Sequence, residues 1–152
     1  MRLNPGYLFI AMLMGPLIGS PVLGEDATEI AVFKTPTCGC CGKWVEHLRQ
    51  NGFEVTVTEQ NDLSPVKAKN GIPRELSSCH TGIVDGYVVE GHVPADVIRR
   101  LLAERPDIKG IVVPGMPAGS PGMEIPSGHV QPYEVLTFDA EGKTEVYATR
   151  GK

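Results

Sequence analysis

Three of the four cysteines in this 152-residue chain fall within four positions, Cys38, Cys40 and Cys41, and the fourth is Cys79. Cys38 and Cys41 have C-x-x-C spacing in the run Thr35-Pro36-Thr37-Cys38-Gly39-Cys40-Cys41-Gly42. Two chemistries use that spacing. A thiolate is the nucleophile of disulfide exchange, and it is also the form of cysteine that binds metal. Both are favoured at a helix N-terminus, whose free N–H groups and partial positive charge stabilise thiolate. Lys34 and Lys43 flank the run and can add to this. The spacing alone does not choose between redox and metal chemistry.

Three features favour metal. Cys40 is one thiol more than an exchange pair needs, and an extra sulfur can bridge soft ions. Cys79 stands immediately before an apolar run, His80 to Val84, where it can face Cys38 and Cys41. Soft or borderline donors gather elsewhere: His80 beside Cys79, then Met116 and Met123. Thiolate with thioether selects Cu(I), and imidazole also suits copper. Zinc prefers Cys and His and rarely takes Met.

Each of these residues also has a plainer use. Met116 and Met123 can fill gaps in packing. His80 can be a hydrogen-bonded structural histidine. His47 reads as a surface or capping residue, and His92 and His129 are the weaker metal candidates. Trp44 is expected to pack against a sheet. Arg99-Arg100 and Glu104-Arg105 read as a solvated helix face.

The elements that must position the cysteines follow from periodicity. Ile30 to Lys34 is a short apolar strand. A Pro- and Gly-bearing loop leads into a helix from about Cys41 to Gln50, with Trp44, Val45 and Leu48 at helical spacing and Asn51-Gly52 as its stop. Phe53 to Val57 alternates as a strand. A second helix is capped by Asp62 or Ser64, has Pro65 in its first turn and runs to Asn70-Gly71. His80–Val84 and Tyr87–Glu90 flank Asp85-Gly86, a strong hairpin signal. Pro94 opens a helix with Val97, Ile98, Leu101 and Leu102 on one face, ended before Pro106. The order is β-α-β-α-β-β-α, which predicts an α/β, thioredoxin-like core with a mixed sheet. Val113 to Pro132 is rich in Gly, Pro and Met, and a loop this long is usually functional or disordered. A C-terminal β-hairpin over Tyr133–Asp139 and Thr144–Ala148 completes the chain.

Composition narrows the setting. The chain is 41% hydrophobic and 21% charged, which is globular usage rather than disorder. Its net charge of −4 argues against a general nucleic-acid binder, which needs a basic surface. The length suits one compact domain. Residues 1–24 place Arg2 before an apolar run from Tyr7 to Ile18, then small residues, the order of a secretory signal. That run is short beside the roughly 20 residues of a membrane span, so no stable membrane insertion is expected after cleavage. The expected organisation is a signal over 1–24 and one metal-binding domain over 25–152. Export to an oxidising compartment means that thiols must be paired, metal-bound or kept reduced. Two structural disulfides are awkward here, because Cys40 and Cys41 are adjacent.

The run F-K-T-P-T-C-G-C-C-G-K-W-V-E-H-L-R-Q-N-G-F-E-V, the segments S-C-H-T-G and G-Y-V-V-E-G-H-V-P-A-D, and V-P-G-M-P-A-G-S-P-G-M together resemble a bacterial domain-of-unknown-function family. It is a family of predicted metal-binding, CopG-like copper-resistance proteins, and the resemblance covers nearly all of residues 29–150. It implies a thioredoxin-like fold, a periplasmic location and several copper ions in a cysteine-bridged cluster. Cys38, Cys41 and Cys79 match the family's cysteines, with Cys40 as the middle member of C-x-C-C. Met116 and Met123 match its methionine loop.

The leading expectation is therefore a periplasmic protein of copper resistance. It would hold Cu(I), as several ions, on Cys38, Cys41 and Cys79, with Cys40 bridging or redox-active and His80, Met116 and Met123 completing the shell. Its partners would be copper ions and other periplasmic copper-resistance proteins. The alternative is a thiol–disulfide oxidoreductase with Cys38 attacking and Cys41 resolving. A third reading is a zinc-stabilised structural module.

Overall fold

The structure, a computed structural model, describes residues 27–151. The expected leader over 1–24 lies outside the described residues. Seven strands form one mixed sheet: β1 (Thr28–Lys34), β2 (Phe53–Glu59), β3 (His80–Val84), β4 (Tyr87–Glu90), β5 (Gly110–Val112), β6 (Tyr133–Phe138) and β7 (Thr144–Arg150), in the order β2-β1-β3-β4-β5-β6-β7. Among the described residues, three helices accompany it: α1 (Gly39–Gln50), α2 (Ser64–Lys69) and α3 (Ala95–Glu104), with a 3-10 turn at Arg74–Leu76. The expected β-α-β-α-β-β-α order is present. β1 runs parallel to β2 and antiparallel to β3, so the sheet is mixed, as expected.

The sequence pattern does not predict β5. Its three residues, Gly-Ile-Val, are too few to show a period, and parallel pairing with β4 is what makes them a strand. β5 also pairs with β6, so the C-terminal hairpin extends the same sheet.

The sheet is covered on both faces. Ile30, Val32, Val84, Val89 and Ile111 pack with Trp44, Val45 and Leu48 of α1 and with Val97, Ile98 and Leu101 of α3. Val88, Val112 and Phe138, pointing the other way, pack with Ile72 and Leu76. Alternation along β4 and β5 assigns these faces, because successive strand side chains point to opposite sides. Asp85 and Gly86 both have positive φ, 47° and 84°, the backbone of a two-residue I′ hairpin turn. That tight turn fixes the β3–β4 register at Thr81↔Glu90 through Val84↔Tyr87.

Candidate metal centre

α1 begins where the cysteine run begins. Cys38 is its N-cap, and the Cys38 sulfur accepts from the Cys41 N–H at 3.3 Å. The helix is held down by Trp44, which is fully buried and donates Nε1–H to Val93 O at 2.8 Å. Trp44 thus packs against the sheet as expected. His47 also behaves as expected, capping α3: its Nε2 accepts from the Ala95 N–H at 3.1 Å. Lys34, by contrast, is turned to Glu59, 2.6 Å away, so its charge is matched there.

Cys79 immediately precedes β3, and β3 pairs with β1, whose end feeds the cysteine loop. The four sulfurs of Cys38, Cys40, Cys41 and Cys79 therefore converge, all within 4.8 Å of one another. Cys38 and Cys41 are joined as a disulfide, and Cys40 and Cys79 are free. Cys40 Sγ lies 3.5 Å from Cys38 Sγ.

A second group of donors shares Cys79. Its sulfur lies 3.3 Å from His80 Nδ1 and 3.2 Å from His92 Nε2. The three side chains form a convergent set within 4.8 Å. Both imidazoles are fully buried, and their rings meet edge-on at 4.8 Å between centroids. Burial, with His92 alongside, pushes His80 down to about 3. Burial lowers His92 as well, against the pull of Pro121 O and Glu124. Both rings are thus neutral at neutral pH, the form that ligates metal. Burial and the neighbouring Cys40 push the Cys79 thiol up to about 11.

Hydrogen bonding assigns the His92 tautomer. His92 Nδ1 lies 2.8 Å from Pro121 O, which can only accept, so Nδ1 carries the proton. Nε2 then has a free lone pair aimed at the Cys79 sulfur. This is the outer-shell arrangement that orients a metal-binding histidine. Among the described residues, His80 Nε2, buried beside Trp44, has no hydrogen-bond partner. Such an orphan costs about 1–3 kcal/mol.

The Gly/Pro/Met loop closes over this cluster. Ser78 Oγ donates to Gly115 O at 3.1 Å, and His92 grips Pro121 O. Gly122, at φ +85°, presses on the first turn of α1: a Cβ there would sit 2.7 Å from Cys40 O. Met116 and Met123 lie in this anchored run. Met116 is 54% exposed and lines an open groove with Pro114, Tyr133 and Leu136. Met123 is half-buried, with its backbone bonded to Gly119 and Ser120. His129 is exposed.

The donors suit a soft or borderline ion: two neutral imidazoles, the free Cys40 and Cys79 sulfurs, and those of Cys38 and Cys41 once their disulfide is reduced. Comparison with known proteins points the same way. Two solved structures of copper resistance protein CopG, forms 1 and 2, match at 44% and 45% identity with TM-scores of 0.78 and 0.77. The alignments cover 84% and 82% of this chain and 100% and 99% of theirs. The chain belongs to the CopG family. The model of the protein family of unknown function DUF411 also matches, over residues 76–123. No curated protein matches.

The DUF411 match spans Cys79, His80, His92 and the methionine loop; the C-x-C-C run lies outside it. Among CopG-like expectations, Cys38, Cys40, Cys41, Cys79 and His80 are brought together. His92, a weaker candidate by sequence, stands in the same convergent donor set as Cys79 and His80. Its signal was in the sequence: the two-residue Asp85-Gly86 turn makes paired residue numbers sum to a constant, which sets His92 opposite Cys79.

Proposed function

We propose that the chain is a periplasmic copper-binding protein of copper resistance, with residues 25–152 as one thioredoxin-like metal-binding domain. The observation that carries this is the convergence of four cysteine sulfurs and two neutral imidazoles in a chain 44% identical to a copper resistance protein. Cys38, Cys40, Cys41 and Cys79 would hold Cu(I), with His80 and His92 as nitrogen donors and Met116 and Met123 as loop thioethers. Cys79 belongs to both donor groups, which suits a sulfur bridging several ions. Soft thiolates favour Cu(I) over Cu(II).

Thiol redox is linked to binding on this reading. Joining the Cys38 and Cys41 thiolates as a disulfide removes both ligands and passes two electrons to an external oxidant, such as another protein's disulfide, which leaves as the dithiol. Oxidation would therefore release Cu(I), and reduction would restore the site. Metal would pass between this site and other periplasmic copper-resistance proteins. Export rests on the order of charged, apolar and small residues over 1–24. Among the described residues, no helix is long and apolar enough to cross a membrane.

Anaerobic titration of the reduced protein with Cu(I) should give more than one ion per chain. Cys38→Ser combined with Cys79→Ser should abolish this; full stoichiometry in that variant would sink the ligand assignment.

A second reading, thiol–disulfide oxidoreductase, is favoured by the Cys38–Cys41 disulfide at the start of α1. Reduction of insulin by the metal-free, reduced protein tests it. Absence of turnover alongside tight Cu(I) binding would count against it.

A further inference from the structure

The sheet face opposite Trp44 carries a buried ion pair that copper binding leaves unused. Glu90, at the end of β4, is fully buried. Lys67 of α2 pairs with its Oε1. Thr81 Oγ1 donates to its Oε2 at 2.7 Å, and the Ser78 N–H donates to Oε1 at 2.6 Å. Lys67 Nζ also donates to Thr81 Oγ1 at 3.2 Å. Thr81 and Glu90 are cross-strand partners, so their side chains share a face. His80, one residue earlier, points the other way onto Trp44.

A buried ion pair is seldom more stabilising than apolar residues of the same volume, so stability alone does not explain it. The Ser78 bond suggests another role. Residues 77–79 lie between the 3-10 turn and β3, outside regular structure. Cys79, the sulfur common to both donor groups, thus lies beyond the last β3–β4 pair, Thr81↔Glu90. Glu90 clamps the residue before it from beneath the sheet.

We propose that Glu90, paired with Lys67, is the positioning residue for Cys79: it holds the Ser78 N–H and so fixes the Cys79 sulfur against His80, His92 and the other cysteines. This rests on reading the cluster as a copper site. A metal centre loosened by about 1 Å because its support is missing loses function while its ligands remain.

Two variants of the full chain separate the acceptor from the charge. Lys67→Met/Thr81→Val/Glu90→Met removes the whole polar set without leaving a buried charge unpaired. Lys67→Met/Glu90→Gln removes the charges but keeps an oxygen for Ser78 N–H and a donor for Thr81. In anaerobic competition for Cu(I), the first should bind about 10- to 100-fold more weakly than wild type, and the second should stay near wild type. In the metal-free protein with its Cys38–Cys41 disulfide, iodoacetamide should alkylate Cys79 about fivefold or more faster in the first variant, because the thiol loses shelter. Cys40 should react at its wild-type rate.

Wild-type affinity and Cys79 reactivity in the folded first variant overturn the proposal. So does equal weakening in both variants, or equal acceleration of Cys40 and Cys79. If the first variant does not fold, Lys67→Leu/Thr81→Val/Glu90→Leu takes its place. If wild-type protein takes up no Cu(I), the copper reading fails, and the alkylation comparison still decides the role of Glu90.

Discussion

His92 Nε2 lies 3.2 Å from the sulfur of Cys79, thirteen residues away in sequence. The Asp85-Gly86 turn between them sets the β3–β4 register, and Pro121 O holds the far side of the imidazole. The contact therefore ties the hairpin, the cysteine cluster and the methionine loop together at one ring.

His92→Ala is expected to weaken Cu(I) binding at least about tenfold, since it removes a donor and its oriented partner. It also leaves Pro121 O without its donor, costing about 1 kcal/mol. Competition titration and urea unfolding measure the two effects separately. Unchanged affinity would show that His92 is structural only.

The two free thiols should differ in reactivity. Burial and Cys40 push the Cys79 thiol up to about 11, so at pH 8 only about one molecule in a thousand carries the thiolate there. Peptide mapping after brief iodoacetamide treatment of the metal-free protein should find Cys40 modified first. Equal labelling would contradict the sheltered placement of Cys79.

Gly122→Ala should loosen the loop over the cluster. The residue sits at φ +85°, and the added Cβ would meet Cys40 O at 2.7 Å. Positive φ in a non-glycine residue costs about 1–3 kcal/mol. The expected result is a lower melting temperature and faster amide exchange in residues 115–123. A melting curve and exchange pattern like wild type would mean that the loop does not press on α1.

Acid should destabilise the metal-free protein before its carboxylates titrate. Burial, with His92 alongside, holds His80 at about 3, below its ordinary 6.5. Below 6.5 the unfolded chain takes up a proton that the folded chain refuses. The stability tied to His80 is complete above 6.5 and is lost as pH falls toward 3. Its slope is at most about 1.4 kcal/mol per pH unit. Burial lowers His92 in the same direction. Urea midpoints between pH 7 and 5 should fall in wild type and fall less in His80→Gln.

Local sequence determined the elements and the chemistry of the site. The spacing of Trp44, Val45 and Leu48 marked α1, and Asp85-Gly86 marked the hairpin. C-x-C-C at a strand–helix junction marked the thiolates, and the apolar run after Cys79 placed the fourth sulfur at a strand start. These are near-neighbour effects, carried by periodicity, turn chemistry and capping. Long-range pairing decided the rest. Gly110–Val112 became a strand only by lying beside β4. Glu90 read as one more strand residue until the fold buried it against Lys67. His92 ranked low because its worth depends on register, a relation between two strands. The Cys38–Cys41 pairing likewise belongs to three-dimensional proximity, since four cysteines alone permit three pairings.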